Sequence, residues 1–262
     1  MTARLGISLR QEWIEPLLAS STPLPAVEVI FEQWMLASDA ELETLERIRE
    51  RQPLLLHCLS MNLGSTDPLD RDYFERIRRF SDRFGIDAIS DHLSWRSIGD
   101  VWTLSLLPMP RTEEALAHLT ARVDAVQSFL GRRVALENVS QYLETPGELS
   151  LAEMFNRLSA SCGAAIHLDL NNLLVNERWL GETPDAFLDE LEADVAWVHV
   201  AGHQNVEKPI DDHSALPSDA CMKLLSRVEP DVPVILEWDR ERPTFDTLLP
   251  ALSLDGGHRA AL

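Results

Sequence analysis

Leu54-Leu-Leu-His-Cys-Leu-Ser60 is the stretch on which the reading of this chain turns. It is a short apolar, β-prone run that delivers a histidine, His57, where the strand stops. Pro53 breaks the chain just before it. Five further runs repeat the design. Asp87-Ala-Ile-Ser-Asp-His92 ends in His92, Arg133-Val-Ala-Leu-Glu-Asn138 brings Glu137, and Ala164-Ala-Ile-His-Leu-Asp-Leu170 brings Asp169. Val195-Ala-Trp-Val-His-Val-Ala201 carries His199, and Pro233-Val-Ile-Leu-Glu-Trp238 ends in Glu237. Each run places an imidazole or a carboxylate at an equivalent point, so one barrel could aim them all at one place.

Working outward, Arg4–Leu9 and Ala26–Phe31 read as two more strands, the second followed by Glu32. Helical patterns lie between the strands: residues 11–20, Ser38 or Asp39 to about Arg51, Asp70 to Phe84 stopped by Gly85, and Thr112 to Leu130 stopped by Gly131. Four more are expected near residues 150–161, 185–192, 218–227 and 244–252. Ser94–Arg111 is an insertion with Trp95, Trp102 and two prolines, and Asn171–Pro184 reads as a loop. A frayed tail is expected after the last helix, at Gly256 and Gly257. Strands buried on both faces read as continuous apolar runs. Eight such strands alternating with helices predict a (β/α)8 TIM barrel, a single domain over residues 1–262. No GxGxxG or Walker motif supports an open doubly wound sheet instead.

Composition narrows the function. With 45% hydrophobic residues and no apolar run long enough to span a bilayer, the expectation is a cytoplasmic protein with no membrane partner. The net charge of −20 argues against nucleic acid, which needs clustered Lys and Arg. Cys58, Cys162 and Cys221 have no metal-type spacing and read as reduced structural thiols.

Active sites of such barrels lie at the C-terminal strand ends. The candidate metal ligands in chain order are His57, His92, Glu137, Asp169, Asn172, His199, Asp211, His213 and Glu237. Asp211-x-His213 on an extended segment would put both side chains on one side. A lone strand-end histidine is more often structural, but the pattern holds over six strands. Nine N and O donors exceed the needs of one ion and suit two or three ions bridged by carboxylates such as Glu137. Without a thiolate, the set fits iron, manganese or zinc.

The order His, His, Glu, Asp, His, Asp-x-His, Glu resembles endonuclease IV, a trinuclear zinc enzyme of the xylose-isomerase-like class, except that Asn172 stands where that family has histidine. The chain is more similar to the multinuclear non-heme iron-dependent oxidative enzymes, the MbnB/TglH-like family. The shared stretches are Gly6–Leu9, His57–Leu69, Ser90–Trp95, Leu136–Asn138 with Tyr142, Leu168–Asn172, His199–His203, Asp211-x-His213 and Glu237–Asp239. It departs after the second strand, where Phe31-Glu-Gln-Trp34 replaces a Ser-Glu-Asn-Tyr type motif.

This resemblance implies a xylose-isomerase-like barrel holding two or three irons, mixed ferrous and ferric, on the nine residues above. It implies dioxygen as co-substrate and oxidation of cysteine, or another residue, in a ribosomally made precursor peptide, in natural-product (RiPP) biosynthesis. It also implies a small partner protein that helps recognise that Cys-containing peptide. Within the matching stretches, Asp239 is a candidate general base, and Asp91 and His203 are candidates for orienting ligands. Asn62, Ser94, Trp95 and Asn138 are candidate substrate-channel residues, with plain packing the alternative for Trp95; Arg10 and Arg96 could meet a peptide carboxylate, with a solvated-surface role the favoured alternative. Rival readings are a zinc phosphodiesterase, a sugar isomerase or epimerase on fewer ligands, and a non-catalytic metal-dependent scaffold.

Overall fold

The computed structural model describes residues 3–254 except Asp100 and Asn205; the expected frayed tail at Gly256 and Gly257 lies outside the described residues. Eight parallel strands close a barrel: β1 (Gly6–Ser8), β2 (Val27–Ile30), β3 (Leu54–His57), β4 (Ile89–His92), β5 (Val134–Glu137), β6 (Ala165–Asp169), β7 (Val195–Val200) and β8 (Val234–Leu236). They follow one another around the barrel in chain order, and β8 pairs with β1. The predicted (β/α)8 barrel is therefore the observed architecture. A two-stranded antiparallel pair, Ala3–Arg4 with Ser253–Leu254, ties together the two ends of the described chain.

Side chains alternate across each strand. One set (Val27, Val29, Leu54, Leu56, Val134, Leu136, Ile166, Leu168, Val198, Val200) packs outward in the main core with the helices. The other set faces the lumen. Its lower layer is a separate apolar plug of Ala26, Leu55, Ala135, Ala165, Trp197 and Ile235. Three alanines leave the room that the fully buried Trp197 ring fills. One step up the same strand faces, the lumen turns polar: Glu28, His57, Glu137, His167, His199 and Glu237 are all buried.

The helices form where their end signals predict. Ser38 and Glu41 make a reciprocal capping box on Asp39–Arg49. Asp70 caps Arg71–Phe84, and Thr112 caps Glu113–Leu130. Gly85 (φ 60°) and Gly131 (φ 64°) close these two helices in the left-handed conformation. Two segments differ from expectation. Asn171–Pro184 is not a loop, because Asp169 caps a helix at Leu170–Leu180 by accepting from the Asn172 N–H at 2.7 Å. The insertion after β4 is an antiparallel hairpin, Ser94–Ile98 with Val101–Pro108. Its pairing shifts between Trp95 and Ser97, so the longer strand bulges, and Leu104 there has φ 56°.

β1 and β2 approach closely at Gly6. A Cβ built there would lie 2.4 Å from the Ala26 carbonyl oxygen and 2.5 Å from Ile235 Cδ1. Gly6→Ala should destabilise the barrel by about 1–3 kcal/mol. Thermal unfolding followed by circular dichroism should then show a fall of several degrees; an unchanged midpoint would contradict this packing.

Candidate metal centre

The lumen's polar layer and the loops above it assemble one cluster. His57 and His92, the last residues of β3 and β4, bring Nε2 to 3.3 Å and 3.4 Å from Glu137 Oε2. His199 Nδ1 lies 3.5 Å from Glu137 Oε1, 3.1 Å from Glu237 Oε2 and 3.8 Å from Asp169 Oδ2. His213 arrives from the loop after β7, with Nε2 2.7 Å from Asp211 Oδ1 and Nδ1 3.1 Å from Glu237 Oε2. That loop is not simply extended, since His213 has φ 41°, a strained value for a residue with a side chain. The backbone is held there by the Asp239 N–H donating to the His213 carbonyl at 2.9 Å.

Asn172 comes from the first turn of the unexpected helix. It lines the cleft, where its Oδ1 accepts from the Ser140 hydroxyl at 2.5 Å and its Nδ2 donates to the Asn138 carbonyl at 3.0 Å. All nine sequence candidates thus meet at the C-terminal end of the barrel.

Several donor atoms of this cluster are buried yet make no well-aligned hydrogen bond, even where a carboxylate lies close: Glu137 Oε2, Asp169 Oδ2, His199 Nδ1 and both nitrogens of His213. Buried polar groups are normally paired, and an unpaired one costs about 1–3 kcal/mol. Unpaired imidazole and carboxylate atoms converging on one space are what a cation would satisfy, and the groups Glu137–Asp169–His199–Glu237 and His57–Glu137–His167 have the necessary proximity. The donor chemistry therefore fits one or more metal ions.

The electrostatics agree. Burial alone would keep His199 neutral, but the Glu28 and Glu237 carboxylates outweigh it and raise its pKa well above the usual value. Burial likewise opposes, and Asp211 and Glu237 overcome it, for His213, which is also raised well above. His92 is raised to about 9 against burial by Glu137 and Asp91. Burial pushes Asp169 well above the carboxylate range, whereas His213 and His199 hold Glu237 well below it despite burial.

The remaining candidates sort by what they touch. Asp91 Oδ1 faces His92 Nδ1 at 3.2 Å and accepts from the His92 N–H, so it backs that ring. His203 stands further out: its Nδ1 is 2.6 Å from Asn171 Oδ1, and Asn171 donates to Asp211. Asp239 is half-exposed in the cleft, held by Arg10 at 2.6 Å with His213 Nδ1 at 3.3 Å. Arg10, buried and also bonded to the Ser8 hydroxyl, is a support for these acids.

The four proposed channel residues do not line the cleft. Asn62 anchors the hairpin by donating to the Ser97 hydroxyl and accepting from the Arg96 N–H. Asn138 locks β5 to β6 through both its amide atoms and the Asp169 backbone. Ser94, the first residue of the hairpin, is buried, and Trp95 packs against the core.

The cleft, of about 470 Å³, is lined above the cluster by Ile30, Gln33, Leu59, Arg96, Leu104–Leu106 and Tyr142. The sequence reading passed over two lumen residues, Glu28 and His167. Each lies two residues before a strand end, on the same face as that end, and a lone Glu within Ala26–Ile30 was the available signal.

The model of the family described as RiPP precursor modification enzyme MbnB/TglH/ChrH matches residues 4–253. A UPF0276 protein of Neisseria meningitidis serogroup B is 36% identical over 260 residues, covering 95% of this chain and 92% of the relative. A UPF0276 protein of Acaryochloris marina is 33% identical over 251 residues, covering 93% and 90%. Among solved structures, D-psicose 3-epimerase from Clostridium cellulolyticum H10 superposes with TM-score 0.62 at 12% identity, covering 92% of this chain and 87% of that one. The 3-keto-D-glucoside 4-epimerase YcjR of E. coli gives 0.61 at 15%, covering 95% and 97%. This structural likeness shows the fold, that of xylose-isomerase-like barrels.

A metal ion binds imidazole only after its proton has left. With His92 raised to about 9 and His199 and His213 also raised well above the usual value, metal loading near pH 7 should release protons. Apparent affinity should rise from about pH 7 to about pH 9. Calorimetric titration in buffers of different ionisation heat measures this; loading without proton release and with pH-independent affinity would contradict it.

Proposed function

We propose, from the premise that the chain belongs to the MbnB/TglH/ChrH family of RiPP precursor modification enzymes, that it is a multinuclear iron oxidoreductase. Its substrate is a ribosomally made precursor peptide, on which it oxidises a cysteine, or another residue, with dioxygen as co-substrate. The observation that carries this reading is the set of unpartnered nitrogen and oxygen atoms brought together under an open cleft.

His57, His92 and Glu137 would hold one ion; Glu137, Asp169, His199 and Glu237 a second; and Asn172, Asp211 and His213, with Asp169, a third. The donors are imidazoles, carboxylates and one carboxamide, with no thiolate, a set that accommodates iron as well as manganese or zinc. Bound iron would supply thiolate activation and electrons for dioxygen. The protein's own groups would do the rest. Asp239, exposed to the cleft and oriented by Arg10, is placed to take a proton from the substrate. Asp91 and Ser90 hold the His92 and His57 rings, and His203 steadies Asp211 through Asn171.

A polypeptide substrate is supported by the surface around the cleft. The exposed large apolar side chains among the described residues are Leu36, Ile98, Val101, Trp102, Leu104, Leu143, Val206 and Ile210. All eight follow β2, β4, β5 or β7 and so lie in the loops at the cleft end of the barrel. Clustered apolar exposure marks surfaces that bind other chains. The net charge of −20 speaks against nucleic acid as the occupant. A small partner protein sharing recognition of the peptide belongs to the same reading, as does a cytoplasmic site of action. No helix among the described residues is long and apolar enough to cross a membrane.

Elemental analysis of anaerobically purified protein, with Mössbauer spectroscopy on an iron-enriched sample, should find two or three irons per chain in mixed oxidation states. Stoichiometric zinc without iron would overturn the proposal in favour of a hydrolase. With a Cys-containing precursor peptide and the partner, oxygen uptake should accompany a mass change in the peptide. Asp239→Asn should retain the metal and lower turnover by about 100-fold; full activity in that variant would remove Asp239 from the role of base.

A further inference from the structure

We propose that Glu28 is the positioning residue of His199, fixing which nitrogen of that ring faces the cluster and placing a buried negative charge behind it. The inference rests on the reading of the cluster as a metal centre.

Glu28 lies inside β2, paired across the sheet with Ser8 and Leu55, and is completely buried in the barrel lumen. A buried carboxylate is strongly disfavoured unless it is paired and hydrogen-bonded. Among the described residues, the cationic side chains within ion-pairing distance of Glu28 are imidazoles, not Lys or Arg. Its Oε2 takes His199 Nε2 at 2.8 Å and accepts from the Trp197 indole N–H at 3.0 Å. Trp197 and His199 are two apart on β7 and so face the same side of the strand. One carboxylate oxygen therefore holds both.

The consequence falls on the other side of the ring. With the proton on Nε2 held by Glu28, Nδ1 is the nitrogen that gives up its proton to a metal, and it faces Glu137, Asp169 and Glu237 at 3.5, 3.8 and 3.1 Å. That atom is buried and has no hydrogen-bond partner. A ligating histidine is usually held in this way through its second nitrogen. The neighbouring rings follow the same rule with other partners: His57 Nδ1 meets the Ser90 hydroxyl at 2.7 Å, and His92 Nδ1 meets Asp91 at 3.2 Å. Glu28 is unlike Ser90 in bringing charge, and unlike Asp91 in giving no backbone N–H as a competing partner. It should make His199 a stronger donor and favour the more highly charged state of the ion bound there.

The test compares wild type, Glu28→Gln and Glu28→Ala, each loaded anaerobically with ferrous ion against a competing chelator. Glu28→Ala should weaken binding by about 10- to 100-fold. Glu28→Gln keeps an acceptor oxygen without the charge. It should recover most of the affinity while its Mössbauer spectrum shows a larger ferrous fraction than wild type after the same oxidation. If Glu28→Ala fails to fold, the Glu28→Gln spectrum decides alone. Wild-type affinity and an unchanged spectrum in the variants that fold would overturn the inference and leave Glu28 a plain structural acid. A wild-type protein that takes up no metal would instead overturn the metal-centre reading, and this inference with it.

Discussion

A closed eight-stranded barrel gives every strand the same obligation: alternate side chains must enter one narrow lumen, and the lumen must be filled. Here the lower half is filled by apolar groups, with Ala26, Ala135 and Ala165 making way for Trp197. The next inward position is polar on six of the strands, and these side chains are buried, three of them at the floor of the cleft. Everything chemically notable in the protein follows from that second layer. Carboxylates and imidazoles are driven together by strand parity, and Glu28 Oε1, Glu137 Oε2, His167 Nε2 and His199 Nδ1 are left buried without a hydrogen bond.

Glu137 shows the constraint at its sharpest. Both of its oxygens face imidazoles from other strands, His57, His92 and His167 on one and His199 on the other, at 3.3 to 3.5 Å. A single carboxylate cannot neutralise so many rings, and the rings cannot all be neutral beside so many acids. The result is a set of strongly displaced pKa values in both directions, with His167 held well below its usual range by burial and neighbouring rings. Such displacement concentrated at strand ends beneath a cleft marks a functional site. The structure meets part of this demand with supports outside the cluster: Arg10 beneath Glu237 and Asp239, Asp91 behind His92, and Glu28 behind His199. The remaining unpaired donors are left for a cation.

The residues that could be read in advance were those whose role depends on local pattern. His57, His92, Glu137, Asp169, His199 and Glu237 each close or nearly close an apolar run, and the rule that barrel sites lie at strand ends does the rest. Ser38, Asp70 and Thr112 cap helices by short-range hydrogen bonds that need no tertiary knowledge. The stretch from Asn171 to Pro184 reads as a loop in sequence, but Asp169 supplies a cap that makes Asn171 and Asn172 part of a helical first turn. Asn62 and Asn138 misled for a related reason. A polar side chain near a site reads as free to bind, and only the folded chain shows both amides spent on their own backbone and hairpin.

The sequence by itself determined the barrel, the order of its strands and the kinds of atoms delivered to its upper end. Those properties come from periodicity, capping and chain order, which act over a few residues. Tertiary structure alone decided which way each ring nitrogen points, which acids share an imidazole, and which polar groups remain unpaired. It also decided that Glu28 and His167, ordinary strand-interior residues in sequence, stand among the cluster. Those properties depend on distances between residues far apart in the chain, such as Glu28 and His199, and strand closure is what sets them.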